Sequence, residues 1–282
     1  MSNAVSVAHG EFGRAAIYAL DRPIVTHAHR EGHLIFHVDG TPASMTVGGE
    51  THENDRNTVT AVSPWEPHSF QNAPGGQSLN LVLYIKPMWF LENSNSAEFA
   101  LSFGRSKTEM TPAIRKLVNQ LTTLLLHDDM SNKFDGMLFS LTRACFDKSW
   151  QSCDSMLMTN ASSRFNDYRV RRSLRVMQEN LTEEFEMEDL ARSVGLSRPH
   201  FFKLFKQQMG VTPNIYMNTL RSEQAIEDLL STDKSVTDIA LDLGFSSQAS
   251  FTRFFSSNVG IAPSEYRRVS CEANVGFPML GQ

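Results

Sequence analysis

Cysteine is scarce: the chain of 282 residues has three, Cys145, Cys153 and Cys271, and none belongs to a CxxC pair. An odd, scattered set argues against a disulfide framework and against a cysteine zinc site, and suits a reducing cytoplasm. Also missing is any apolar run long enough to span a bilayer, and the first ten residues are polar and small rather than signal-like. The expectation is a soluble cytoplasmic protein with no membrane contact. Excess charge of one sign is lacking where it would be most informative. Residues 164–268 hold 14 Lys or Arg against 14 Asp or Glu, so the net charge of −5 belongs to the rest of the chain. A neutral segment of this size argues against tight unspecific binding to a polyanion and makes any local focus of basic charge stand out.

Such a focus exists. From Leu196 to Met209 there is no carboxylate, while Arg198, His200, Lys203, Lys206 and Gln207 alternate at helical spacing with Phe201, Leu204, Phe205 and Met209. The aromatic set should face a core and the basic set solvent. A helix that is basic on its solvent side suits phosphate binding and guanine reading. Just upstream, Leu190, Ala191 and Val194 form one apolar face, Gly195 can take the positive φ of a tight turn, and Ser197 is placed to cap the second helix. The pattern is a helix-turn-helix.

It occurs twice. In Asp238–Val259, Gly244 answers Gly195, Ser246 answers Ser197, and Phe251, Phe254 and Phe255 answer Phe201, Leu204 and Phe205. Gly210, Pro213 and Tyr216 return as Gly260, Pro263 and Tyr266, at an offset of 50 against 49 before the turn, so the second unit has one extra residue there. An internal repeat of two independent matches is hard to produce by chance.

These repeats, with the second-unit stretch GFSSQASFTRFFSSNVGIAPSEYRR, resemble the DNA-binding domain of the AraC/XylS family of bacterial transcription regulators. The resemblance covers about a third of the chain. It implies a seven-helix domain whose central helix, roughly Pro213 to Leu230, separates two recognition helices. About 18 helical residues span about 27 Å, the order of one DNA turn, about 34 Å. It further implies DNA contacts at Arg198, Pro199, Phe202 and Lys203 in the first unit, and at Gln248, Ala249, Thr252 and Arg253 in the second. Arg253 suits guanine, Gln248 adenine, and Ala249 and the Thr252 methyl a thymine methyl. Lys206, near the end of its helix, suits a phosphate. Pro199 and Phe202 depart from the polar residues often found at their positions, which weakens hydrogen-bonded readout by the first unit.

From Phe12 to Lys86, short apolar or alternating runs (HLIFHV, SMTV, TVTAV, SLNLVLYIK) are punctuated by turn signals such as Asp39-Gly40, Gly48-Gly49 and Pro74-Gly75-Gly76. That rhythm predicts a small barrel or jelly roll. His27, His29, His33 and His37 fall inside it, followed by His68 and Asn72. The run resembles a cupin, with His33 where metal cupins usually carry Glu. Two readings stay open for the imidazoles: ligands of a divalent metal, or hydrogen-bonding groups of a polar effector pocket. The resemblance of the whole favours the second, so His27, His29, His33 and His68 are expected to bind an effector, with no cofactor and no metal.

After Pro87 the pattern turns helical. Pro112 fits a first helical turn behind Thr111. Ile114, Leu117, Val118, Leu121, Leu124 and Leu125 form one stripe, and Phe134, Met137, Leu138, Leu141 and Cys145 a second. They either pack on the barrel or, as in the family they resemble, build a homodimer interface. The expected organisation is α+β: residues 1–155 a cupin-like barrel with two flanking helices, 156–166 a linker, 167–268 the all-α double helix-turn-helix domain opening with a helix from Tyr168 to Asn180, and 269–282 a poorly ordered tail. The functional expectation is a non-enzymatic transcription regulator. Its expected partners are double-stranded DNA, a small-molecule effector, RNA polymerase and a second copy of itself, and the pattern leaves activation or repression open. The rival is a metal-dependent cupin enzyme with an accessory helical domain.

Overall fold

A computed structural model describes residues 2–93, 101–127, 132–151, 167–181 and 186–274. Its first half is two antiparallel sheets. Strands β1 (Asn3–Gly10), β2 (Gly13–Leu20), β9 (Ser78–Ile85), β4 (Gly32–Gly40), β7 (Thr58–Val62) and β10 (Lys107–Glu109) form a six-stranded sheet in that order. Strands β3 (Ile24–His27), β8 (His68–Asn72), β5 (Ala43–Val47) and β6 (Glu50–Asn54) form a four-stranded one. The predicted runs fall on β4, β5, β7 and β9. Two strands lie outside the region read as β, Phe12 to Lys86: β1, whose small and polar residues hide its alternation, and the three-residue β10.

Because side chains alternate across a strand, the central strands of the larger sheet feed two separate cores. Ala15, Ile17, Leu34, Phe36, Leu81, Leu83 and Ile85 point to one face, and Ala16, Tyr18, Ile35, Val82 and Tyr84 to the other. The first face is covered by α1 (Pro87–Asn93), α2 (Pro112–Leu126) and α3 (Asn132–Trp150). Thr111 caps α2 by accepting from the Ile114 amide, and Pro112 occupies the first turn, as its fixed φ allows.

Both expected stripes end on this sheet. Ile114, Val118, Leu121 and Leu125 of α2 and Phe134, Leu138, Leu141 and Cys145 of α3 are buried in the same core as Leu34 and Leu83. Each such side chain contributes about 1.5–3 kcal/mol by leaving water. The stripes are therefore occupied within the chain, and they no longer argue for a dimer interface.

Seven helices make the second half among the described residues: α4 (Tyr168–Glu179), α5 (Met187–Ser193), α6 (Arg198–Met209), α7 (Pro213–Ser231), α8 (Val236–Asp242), α9 (Gln248–Val259) and α10 (Pro263–Asn274). The expected linker lies outside the described residues. The expected tail boundary moves: α10 runs on past Arg268 because Val269 is buried in a core that it shares with β-sheet residues Val7 and Tyr18.

That shared core fixes the halves to each other. Phe251, Phe255, Val259, Ile261 and Tyr266 join Leu20, Met45, Phe70 and Val82 in one apolar cluster. The first unit has its own core of Leu190, Phe201, Phe205, Met209, Tyr216 and Leu220, which includes Ala28 and packs against Trp65 from the connections of the sheet half.

Candidate functional site

Helix pairs α5–α6 and α8–α9 are the two expected helix-turn-helix units. Gly195 and Gly244 sit in their turns at φ 73° and 79°, where a side chain would be strained. The caps differ from expectation. Ser197 precedes α6 but makes no side-chain cap bond, and α9 is capped by Ser247, which accepts from the Ser250 amide, so Ser246 is not the capping residue. The extra residue of the second turn accounts for the shift.

In both units the buried and expected DNA-facing positions separate cleanly. Phe201, Phe205 and Met209 are buried while Arg198, Pro199, Lys203 and Lys206 are exposed and Phe202 is half-buried. Phe251 and Phe255 are buried while Gln248, Ala249 and Arg253 are exposed and Thr252 is half-buried. The Arg198 guanidinium lies 5.0 Å over the Phe202 ring, so the aromatic residue that departs from the expected polarity also orients a cation. Gln248 Oε1 accepts from Thr237 Oγ1 at 2.8 Å, which fixes its amide at the start of α9.

Between the sheets and α7 lies a cavity of about 540 Å³. His27 and His29 reach it, together with His9, Arg14, Arg30, Lys86, Ser222 and Glu223. His33 and His68 instead line the sandwich interior, where the free volume is only about 30 Å³. The roomy site is therefore beside the barrel rather than within it. The expected histidines nonetheless form one cluster: His27 and His68 face each other across the β3–β8 pair with rings 4.3 Å apart, and His29 packs at 4.7 Å from His27 and 5.2 Å from His68. His29 lies beyond the end of β3, in the connection to β4, and not on the same strand face as His27. His33 stacks on Tyr84 at 4.3 Å, and its Nδ1 is 3.1 Å from His68 Nε2. Desolvation is the main reason that His27 titrates at about 4 and that His29, His33 and His68 titrate well below an ordinary imidazole. All four are neutral near pH 7.

Several groups at this cavity were not singled out by the sequence. Arg14 is buried, lies 3.6 Å over the Tyr84 ring, and donates from Nη1 to Tyr266 Oη at 2.9 Å. The Tyr266 hydroxyl can in turn donate to His9 Nε2 at 3.1 Å when that ring, kept neutral by a pKa that burial lowers to about 3, carries its proton on Nδ1. No carboxylate pairs with Arg14 among the described residues, and its Nε is buried without a partner. Ser222 Oγ, Glu223 Oε1 and His29 Nε2 are likewise buried and unpartnered. Residues carrying four such atoms line this one cavity, and buried polar groups are normally satisfied.

Helix α7 grips the segment from His27 to Arg30. Thr219 Oγ1 donates to the Ala28 carbonyl at 2.9 Å, and one turn on Glu223 pairs with Arg30 at 2.8 Å. Burial nevertheless pushes Glu223 up to about 7, against the pull of Arg30.

Residues 190–269 match a family model described as a helix-turn-helix domain. An uncharacterised HTH-type transcriptional regulator of Staphylococcus aureus (strain COL) is 38% identical over 240 residues, covering 79% of this chain and 31% of its own length. The melibiose operon regulatory protein of Escherichia coli is 32% identical over 119 residues, 42% of this chain and 39% of that protein. The chain thus spans about a third of the length of the curated relatives it matches. Among solved structures, an apo form of ToxT from Vibrio cholerae aligns over 90% of this chain and 96% of its own, at TM-score 0.57 and 14% identity. A form of ToxT bound to an unsaturated fatty acid aligns over 96% and 98%, at 0.55 and 15%. At this identity the likeness concerns the fold: sheets first, paired helix-turn-helix units after.

Proposed function

The chain belongs to the AraC family of helix-turn-helix proteins, and on that premise we propose that it is a sequence-specific, double-stranded-DNA-binding transcription regulator governed by a small polar effector. The observation that carries the reading is the pair of recognition helices, α6 and α9. Each lacks a carboxylate, and Arg198, Lys203, Lys206 and Arg253 are left open to solvent.

In this reading the effector enters the cavity between the sheets and α7. His27 and His29 reach it directly, and His33 and His68 support them from behind. The unmatched Arg14 and its orphaned Nε favour an acidic group on the effector, and Glu223 Oε1 favours a hydroxyl or amine donor beside it. Because α7 joins the two units and grips the His27–Arg30 segment, an occupant would act on the placement of both recognition helices. The setting is the cytoplasm, and RNA polymerase is the partner through which bound regulator would act.

A homodimer remains part of the proposal, but through faces other than the buried stripes of α2 and α3. The rival reading, a metal-dependent enzyme, draws on the histidine cluster alone. Gel shift of the full chain on fragments of the surrounding genome tests the proposal: a sequence-selective shift supports it, and equal affinity for all fragments or none opposes it.

A further inference from the structure

We propose that Thr237, in the first turn of α8, is a positioning residue for base reading by α9: its hydroxyl holds the Gln248 amide in the orientation that recognises adenine. The inference rests on the DNA-binding reading given above, and it adds a specificity-determining residue that itself touches no base.

Thr237 Oγ1 donates to Gln248 Oε1 at 2.8 Å, from one helix of the second unit to the other, and makes no other side-chain hydrogen bond among the described residues. Both ends of this bond are anchored. In α8, Ser235 Oγ accepts from the Asp238 amide at 3.1 Å and Asp238 Oδ2 from the Ser235 amide at 3.2 Å, a reciprocal cap that fixes the turn carrying Thr237. In α9, Gln248 is the first helical residue, and Ser247 before it caps the helix by accepting from the Ser250 amide at 3.2 Å.

The chemistry of the amide gives the bond its meaning. A carbonyl oxygen has two lone pairs, and the Thr237 hydroxyl takes one of them. The second lone pair and both Nε2 protons stay open on an exposed side chain. One acceptor beside one donor is the pair that meets adenine N6 and N7 together. A free glutamine must give up its rotamer freedom to make two such bonds at once, whereas one already held from the side has given it up before DNA binds. A contact between two exposed groups, worth little to the fold, thereby acts on recognition.

The first unit lacks this device. By the repeat, Glu188 of α5 answers Thr237 and Arg198 of α6 answers Gln248, each at the same position of its helix. Glu188 and Arg198 are exposed and opposite in charge, yet no ion pair joins them among the described residues, and Arg198 turns to the Phe202 ring instead. The leading side chain is thus oriented by a ring of its own helix in α6 and by the neighbouring helix in α9.

The test is selection of bound sequences from a randomised duplex pool by the full chain, for wild type, Gln248→Ala, Thr237→Val and Thr237→Ser. Gln248→Ala should lose the preference for adenine at one position of the selected site, which identifies the base that Gln248 meets. Thr237→Val, similar in shape but without the hydroxyl, should lower the preference at that same position by about two- to tenfold. Other positions and the slope of log K against log salt should not move. Thr237→Ser keeps the hydroxyl and should keep the preference, and circular dichroism checks that each variant is folded. An undiminished adenine preference in Thr237→Val, a loss spread over all positions, or a base other than adenine opposite Gln248 overturns the proposal. Selection by the wild type with no effect of Thr237→Val leaves the DNA-binding reading standing, whereas a wild type that selects no sequence ends both.

Discussion

The indole of Trp65 lies flat against the phenol of Tyr216, with ring centroids 4.8 Å apart and planes 20° from parallel. Tyr266 occupies the matching position of the second unit, and it too is held by the sheets, through Arg14 and His9. Each tyrosine in turn packs edge-on against the recognition helix of its own unit, Tyr216 on Phe205 at 5.6 Å and Tyr266 on Phe255 at 5.8 Å. The sheet half thus reaches α6 and α9 through equivalent tyrosines, by stacking in one unit and by a buried hydrogen-bond chain in the other.

Trp65 holds its ring there from a left-handed backbone, φ 64°, with its amide donating to the His29 carbonyl at 2.7 Å. Substitution by alanine loses the stack and keeps the strain, whereas glycine loses the stack and relieves it. Trp65→Gly should therefore unfold at a higher denaturant concentration than Trp65→Ala, by the equivalent of about 1 kcal/mol. Equal midpoints would show that the backbone is not strained. Both variants should speed amide exchange in α6 more than in α9.

The two tyrosines should differ in what their hydroxyls are worth. Tyr266→Phe leaves the buried Arg14 without its hydrogen-bond acceptor and should cost about 1–3 kcal/mol. Tyr216→Phe removes one half-buried bond from Gln178, at 3.2 Å, and should cost about 1 kcal/mol or less. Chemical unfolding followed by tryptophan fluorescence compares them, and a larger loss for Tyr216→Phe would contradict the assignment.

Glu223 supplies a pH dependence with a definite sign. Its carboxyl is raised from 4.5 to about 7, mainly by burial, with Arg30 opposing and Glu31 adding to the rise. The folded state then binds more protons than the unfolded chain between those values, so this group's contribution to stability falls as pH rises from 4.5 to 7, by up to about 3 kcal/mol. Glu223→Gln should flatten that part of the stability profile. An unchanged slope in the variant would place the titrating group elsewhere.

The repeats were the most legible part of the sequence, because helical spacing of Phe201, Phe205, Phe251 and Phe255 and the turn glycines are local signals. The repeat also marked Tyr216 and Tyr266, yet only as landmarks: nothing local says that a helix residue will dock on a sheet residue 252 positions earlier, as Tyr266 does on Arg14. The same limit hid the cavity, which depends on how α7 meets the His27–Arg30 segment. The stripes of α2 and α3 were read correctly as apolar faces, but periodicity does not name the surface that covers them. That His29 lies beyond the end of β3 is not legible either, because an HxH spacing fits a pleat as well as a strand end.

Reading of DNA by the second unit is the central claim, and Arg253→Ala tests it most directly. Binding of this variant should be measured beside wild type and Lys206→Ala, on the natural operator and on a scrambled duplex, at several salt concentrations. Arg253→Ala should cost about 1–3 kcal/mol on the operator, with relaxed discrimination at one guanine and little change on the scrambled duplex. Lys206→Ala should weaken both duplexes alike and lower the slope of log K against log salt by about one. Equal losses on both duplexes for Arg253→Ala would contradict base reading by α9.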